Sequence, residues 1–311
     1  MNSAPDDPPP PNVWESPLQR VKRQLSEHGL SPRKNFGQNF LIDPNLAKAI
    51  ASEAEADEET LVLEVGPGTG CLTRELLDSH PDARVIAVEL DHGMAGLLRA
   101  EFHAELEERT LTLIEGDVLD GKHGINKEWI GKTIFCSEQE ERPRRVLCAN
   151  LPYNAATPLI ANLALDGAGP KPSKPLVEKI IATVQLELAE RLFGKPGGND
   201  FGPLAAYLAL RGSGKVIRKF GKEVFWPRPQ VDSAVFVLEL PPWEKSQLPA
   251  AQAVDFMAFL KEIFQARRKT LRAILKDRIP KNHPLSGMRA EDTDARKLFN
   301  LFTELSAEQP G

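Results

Sequence analysis

Cysteine is scarce in this chain: its 311 residues hold three. Cys71, Cys136 and Cys148 are odd in number and lack metal-ligand spacing, so neither a disulfide framework nor a bound metal is expected. Long apolar runs are missing too. None approaches the roughly 20 residues of a membrane-spanning helix, which excludes a membrane protein of that kind. The N-terminus lacks the basic-then-apolar order of a signal peptide, so a cytoplasmic location is the default. Net positive charge is also absent: 39 Lys and Arg stand against 44 Asp and Glu, a formal charge of −5. That balance argues weakly against a nucleic-acid partner. The distribution argues the other way. Arg211 to Arg228 carries six basic residues against one acid, and Lys261 to Lys281 carries eight against two. Acid gathers at Glu53, Glu55, Asp57, Glu58 and Glu59, so one side of the molecule should be positive.

What is present suffices for one large domain and a smaller one. Residues 1–17, with six prolines, read as a disordered tail. A basic amphipathic helix follows at Leu18–Leu30. Asp43 before Pro44 is a good N-cap, which predicts a helix from Pro44 to about Ala56. Thr60–Val65 is a β-type run, broken by Gly66-Pro67-Gly68-Thr69-Gly70 and followed by a helical pattern at Leu72–Leu77. Strand, glycine turn and helix in that order turn backbone N–H groups and a helix N-terminus toward a ligand. The next strand, Arg84–Val88, ends at Glu89, nineteen residues after Gly70, where an acid can accept hydrogen bonds from a ribose diol. A third, Leu111–Glu115, ends in Gly116-Asp117-Val118. A long interval from Leu119 to Arg144 then precedes the run Arg145–Ala149, which stops at Asn150-Leu151-Pro152-Tyr153.

Later segments continue the α/β pattern. A helix is expected at Thr157–Leu165 and another over Gln185–Phe193, with β-type runs at Leu176–Val184, Lys215–Phe220 and Ser233–Leu240. Pro241-Pro242 marks a boundary. Beyond it, Val254–Lys276 reads as one helix with Leu260, Ile263, Phe264, Leu271, Ile274 and Leu275 on one arc. Lys261, Arg268, Lys269, Arg272 and Lys276 fan along its flank, and Arg267 falls inside the apolar arc, which predicts a buried partner or a site role. A last helix spans Glu291–Leu305. The expected organisation is a doubly wound, mostly parallel α/β sheet over residues 18–240 with a small all-helical C-terminal domain over 243–311.

Open α/β sheets bind ligands at the carboxyl ends of their strands. Four successive strand ends here carry a glycine turn, an acid, an acid and an amide. The turn at Asn150 suits an adenine base. The exocyclic N6 of adenine is a poor nucleophile because its lone pair is delocalised, so acceptors must hold its N–H groups while the nitrogen pyramidalises. The Asn150 side-chain oxygen and the carbonyl of Leu151 or Pro152 are such acceptors. Pro152 stiffens the turn, and the Tyr153 ring offers a stacking face worth about 1–3 kcal/mol per base. An ordinary Asn-x-Pro turn capping a helix is the competing reading of that tetrapeptide alone.

Together these residues resemble the small-subunit ribosomal RNA adenine N6,N6-dimethyltransferase family, whose relatives include the erythromycin-resistance methyltransferases. The similarity runs from Pro32 to Leu275. Phe36–Asp43, Glu64–Gly70, Glu89, Gly116–Val118 and Ala149–Asn154 match its core motifs in order. Gln185-x-Glu187-x-Ala189-x-Arg191, Phe225–Ala234 and Arg267–Leu271 are similar to signatures of the small-subunit branch. The resemblance implies a Rossmann-like fold and S-adenosyl-L-methionine as cofactor. It implies that Asn39 and Leu41 close over that cofactor, that Gly66 contacts its methionine part, and that Glu89 binds the ribose. Asp117 and Val118 would hold the cofactor's adenine. Asn150, Pro152 and Tyr153 would hold the target base, with Asn150 also bordering the cofactor. It implies as well dimethylation of two adjacent adenosines in a hairpin near the 3′ end of small-subunit RNA. The partner would be that RNA in a partly assembled subunit, met by a monomeric enzyme. In this context Arg268, Lys269, Arg272 and Lys276 are expected to contact phosphates. Two alternatives are a ribosome-assembly factor that kept the fold without the chemistry and an enzyme acting on large-subunit RNA or DNA; intact Gly66, Glu89, Asp117 and Asn150 argue against the first.

Overall fold

The computed structural model describes residues 15–33, 37–121, 124–126, 144–169 and 174–307. Ser16 opens the first helix, α1 (Pro17–Glu27), with a reciprocal capping box to Gln19. Pro17 is therefore helical rather than part of a tail, and the remainder of the expected tail, 1–14, lies outside the described residues. A two-residue strand β1 (Phe40–Leu41) leads to α2 (Pro44–Ser52), where Asp43 accepts from the Asn45 and Leu46 N–H groups as its N-cap. This helix ends sooner than expected because the chain turns into the left-handed region at Glu55 (φ 47°).

Alternation of strand and helix then builds the sheet. The elements are β2 (Thr60–Val65), α3 (Cys71–Ser79), β3 (Arg84–Glu89), α4 (His92–Glu101), α5 (His103–Glu107), β4 (Leu111–Glu115), β5 (Arg144–Asn150), α6 (Tyr153–Leu165) and β6 (Lys179–Gln185). After α7 (Leu186–Leu192) and α8 (Pro203–Arg211) come β7 (Ser213–Phe220), β8 (Phe225–Trp226) and β9 (Ser233–Glu239). Seven strands form one sheet in the order β4-β3-β2-β5-β6-β9-β7. The first five are parallel to one another, while β9 pairs antiparallel with both β6 and β7. Every residue of β2 is buried, as in a sheet covered on both faces. Strand order reverses between β2 and β5, which makes their carboxyl ends the ligand crevice of such a sheet. Most of the interval before β5, residues 127–143, lies outside the described residues.

Beyond β9 the described residues hold the α-helices α9 (Ala253–Phe264), α10 (Leu271–Leu275) and α11 (Ala295–Ala307). The single helix expected over Val254–Lys276 is thus two. Its break is made by non-local hydrogen bonds: the Leu271 N–H donates to the Met288 carbonyl at 2.7 Å, and Thr270 bridges Arg289 and then caps α10 through the Ala273 N–H. Those donors are lost to a continuous helix. Likewise α11 starts four residues later than Glu291, because Asp294 accepts from the Arg296 and Lys297 N–H groups. In the opposite sense α6 starts at Tyr153, ahead of Thr157, with Pro158 inside it.

One buried cluster runs from Leu63 of β2 through Leu159 and Tyr207 to Phe256 and Phe302, so the apolar core is continuous across Pro241-Pro242. Phe256 packs edge-on against Phe299 with ring centroids 5.1 Å apart. On the sheet's other face α2 and α3 pack over Val62, Val85 and Cys148. Cys148 is buried and free, Cys71 is free and half-buried, and Cys136 lies outside the described residues.

Candidate active site

A cleft of about 1180 Å³, partly open to solvent, lies over the carboxyl ends of β2, β3, β4 and β5. Its floor is the glycine turn. Gly66, Gly68 and Gly70 have φ of 69°, 58° and 80°, a conformation that costs glycine little. The turn is also crowded: a Cβ at Gly68 would stand 2.9 Å from the Phe40 ring, and one at Gly70 2.4 Å from that of Phe102. Neither position has room for a side chain, and α3 starts directly behind the turn.

Glu89 enters from the end of β3, 6% exposed. Its Oε2 accepts the Gly68 N–H at 3.1 Å and its Oε1 the Asp91 N–H at 2.9 Å. Burial raises its pKa, against the lowering effect of those two N–H donors. The second acid, Glu64 of β2, is 1% exposed and accepts the Thr73 hydroxyl at 2.7 Å. Burial pushes its pKa up to about 8; the Thr73 bond opposes this and the Glu89 charge adds to it. That shift favours the protonated, uncharged form of Glu64. Asp117 sits exposed on the rim, its Oδ1 engaged by the Leu119 N–H at 2.9 Å, while Val118 is buried beside it.

Opposite the glycine turn stands the turn after β5. The Asn150 Nδ2 donates to the Asn39 carbonyl at 3.2 Å. That bond fixes the amide and leaves its Oδ1 as an acceptor without a partner among the described residues. Pro152 packs on the glycine turn, and the Tyr153 hydroxyl lies 3.2 Å from that of Ser233, which is fully buried at the start of β9. Burial raises the Tyr153 pKa, the Ser233 bond acting against it.

The segment before α2 closes the cleft's third side. Phe40 and Leu41 pair antiparallel with Trp226 and Phe225, and the Gln38 amide donates to Asp91 at 3.1 Å. Asp91 also caps α4 and lies 3.6 Å from the Arg33 guanidinium. Asn39, Leu41, Gly66, Glu89, Asp117, Val118, Asn150, Pro152 and Tyr153 all line this one cleft. Glu64, Gln38 and Phe40 stood inside the matched motifs without a role of their own, and Asp91 was given none. The signal for Glu64 was there: an acid inside an apolar strand must be neutral or partnered.

The four cations do not reach the cleft. Arg268, Lys269 and Lys276 are exposed, whereas Arg272 is half-buried, donating to the Ile279 carbonyl and lying 3.8 Å from Asp277. Arg267, expected to have a buried partner or a site role, is half-exposed and pairs at 2.6 Å with Glu291, whose side chain is only 13% exposed; it also donates to the Asn199 carbonyl at 3.2 Å.

Residues 29–303 match the family profile described as ribosomal RNA adenine dimethylase. The chain belongs to that family. A ribosomal RNA small subunit methyltransferase A of Bifidobacterium adolescentis is 34% identical over 273 residues, covering 84% of this chain and 82% of the relative. The protein of the same name from Treponema denticola is 33% identical, covering 85% and 80%. A dimethyladenosine transferase from Plasmodium falciparum has a similar fold, with a TM-score of 0.64 at 23% identity over 85% of this chain and 96% of that one. The fold is also that of the 23S rRNA methyltransferase ErmE, TM-score 0.59 at 21% identity, covering 86% and 100%.

As a ribosomal RNA adenine dimethylase the chain is an S-adenosylmethionine-dependent methyltransferase, and the cleft fits that cofactor. A crowded glycine turn and, one strand away, the buried Glu89 side chain line the cleft together. Val118 and the half-exposed Leu90 offer apolar surface beyond it.

Proposed function

We propose that this chain dimethylates N6 of two adjacent adenosines in the 3′-terminal hairpin of small-subunit ribosomal RNA. It acts in the cytoplasm as a monomer on a partly assembled subunit. In this reading residues 18–240 bind the cofactor and carry the chemistry, and residues 243–311 form the RNA-binding domain. The names of the Bifidobacterium and Treponema relatives support the small-subunit assignment.

The observation that carries the reading is the Asn150 amide. With Nδ2 tied to Asn39, Oδ1 is presented as an acceptor in the cleft, which suits an N–H of an exocyclic amine and not a carbonyl. A second N–H of the same amine would be held by the Leu151 or Pro152 carbonyl, and the Tyr153 face would stack on the base. With its N–H groups held, N6 loses conjugation with the ring and directs its lone pair out of plane. S-adenosylmethionine supplies a methyl group on a sulfonium that is already electrophilic, so the protein contributes position and acceptors. Glu89 would fix the ribose, Gly66 the methionine part, Asp117 and Val118 the cofactor's adenine, and Asn39 and Leu41 would cover it. Arg268, Lys269, Arg272 and Lys276 would hold phosphates.

The test is mass spectrometry of nucleosides after incubating protein and S-adenosylmethionine with small subunits lacking the modification, beside naked large-subunit RNA and duplex DNA. N6,N6-dimethyladenosine is expected in the small-subunit sample alone. Its appearance only elsewhere, or in none of the three, would overturn the assignment.

A further inference from the structure

Tyr153 has a cavity on each side of it. Besides the cleft, it lines a pocket of about 430 Å³ whose other walls are Ala156 and Thr157 of α6 and the end of β6 with α7. The motif Gln185-x-Glu187-x-Ala189-x-Arg191 builds that wall. Ala189 is fully buried and anchors α7, while Gln185, Glu187, Leu188 and Arg191 face the pocket. Gln185 is paired in register with Ser233, the residue that holds the Tyr153 hydroxyl. Its half-buried amide makes no side-chain hydrogen bond among the described residues. Glu187 and Arg191 form an i,i+4 ion pair with both side chains about two-thirds exposed (66% and 63%). A pair that exposed contributes about 0–1 kcal/mol, so its members are readily exchanged onto a ligand.

We propose that this pocket is a second nucleobase subsite, which takes an adenine neighbouring the target adenosine in the same RNA strand, with Tyr153 as the wedge between the two bases. The inference rests on the proposed function. An extruded target base leaves its stack, and the neighbour is left without a stacking partner at a cost of a few kcal/mol. An aromatic ring is about as thick as the spacing of stacked bases, so Tyr153 can stand in for the missing partner of both bases. The Gln185 amide presents a donor beside an acceptor, the pattern that reads adenine bidentately. Glu187 can accept from the exocyclic amine, Leu188 supplies an apolar face and Arg191 a charge for the connecting phosphate. An amide, a carboxylate and a guanidinium around an aromatic wall fit a nucleotide better than any apolar ligand. The subsite would let the enzyme select its target by the base beside it.

The experiment uses single-stranded RNA oligonucleotides with one target adenosine and the fluorescent adenine analogue 8-vinyladenine, which keeps the 6-amino group and N7, placed 5′ or 3′ to it. At saturating protein, emission should fall for one of the two placements with wild type. Gln185→Ala and Arg191→Ala should restore the emission while cofactor affinity and the thermal midpoint stay unchanged. An abasic site at the same position should lower kcat/KM of wild type about tenfold and that of Gln185→Ala much less, since stacking and bidentate contacts are each worth about 1–3 kcal/mol. Unchanged emission at both placements, or quenching that survives both substitutions, overturns the subsite. The emission readout needs no turnover. An enzyme that quenches the analogue yet methylates no RNA would refute the proposed function and leave the subsite standing.

Discussion

A Cβ at Gly66 would stand 3.1 Å from Cγ and 3.3 Å from Cδ of Pro152, so the turn after β2 and the turn after β5 touch where the strand order reverses. Cofactor floor and base holder are one packed unit. Gly66→Ala meets both this contact and a φ of 69° that an L side chain rarely adopts. We expect it to weaken S-adenosylmethionine binding at least tenfold and to lower turnover further by displacing Pro152, as strain of about 1–3 kcal/mol predicts. Calorimetry with the cofactor and a single-turnover assay separate the two effects; wild-type values in both would contradict the packing argument.

Glu89 accepts one N–H with each oxygen, from Gly68 and from Asp91. Glutamine keeps the shape but turns an amino group toward one of those donors. Glu89→Gln should therefore loosen the glycine turn as well as the ribose contact and reduce cofactor affinity by about 1.5–3 kcal/mol, the usual worth of a charged hydrogen bond. Isothermal titration checks this, and an unchanged affinity would remove Glu89 from the site.

Glu64 binds a proton in the folded state up to about pH 8, whereas its ordinary value is 4.5. Between those values the native protein holds one proton more than the unfolded chain, so this group's contribution is full below 4.5 and is lost as pH rises toward 8. Glu64→Gln has no such proton and can still accept the Thr73 hydroxyl. Urea unfolding should show wild type losing up to about 1.4 kcal/mol per pH unit relative to the variant across that window. Parallel pH profiles for the two proteins would show that Glu64 is charged when folded.

Among the cations, Arg268, Lys269 and Lys276 are exposed while Arg272 is tied to Ile279 and Asp277. Changing the first three to Glu should weaken RNA binding and flatten its salt dependence, by a slope of about 0.7–0.9 for each phosphate no longer neutralised. Arg272→Glu should weaken binding as well and, unlike the other three, also lower thermal stability. Filter binding over a salt series checks the slope, and a triple variant with the wild-type slope would place the RNA elsewhere.

Strand ends were legible because each carries a chemical signal next to a buried apolar run: Gly66 after β2, Glu89 closing β3, Asp117 after β4 and Asn150 at the end of β5. Local caps were legible too, as Asp43 before Pro44 shows. The break at 265–270 was hidden because it depends on Met288 and Arg289, whose pairing with Leu271 and Thr270 leaves no periodic trace in the helix itself. The largely buried partner expected for Arg267 exists in Glu291, but which residue it is could not be read, because Glu291 and Asn199 come from distant segments. The packing of Gly66 on Pro152 was equally invisible, since it follows from which strands are neighbours and not from either turn.

The bond from Asn150 to the Asn39 carbonyl joins residues 111 positions apart. The sheet alone can assemble a cofactor cradle, but the acceptor that distinguishes an amine from a carbonyl is aimed by backbone lying outside that sheet. The sheet by itself therefore does not complete the site. A graft of the central strands into another scaffold would transplant the ligand's berth, and the selectivity would stay behind with the strap that precedes α2.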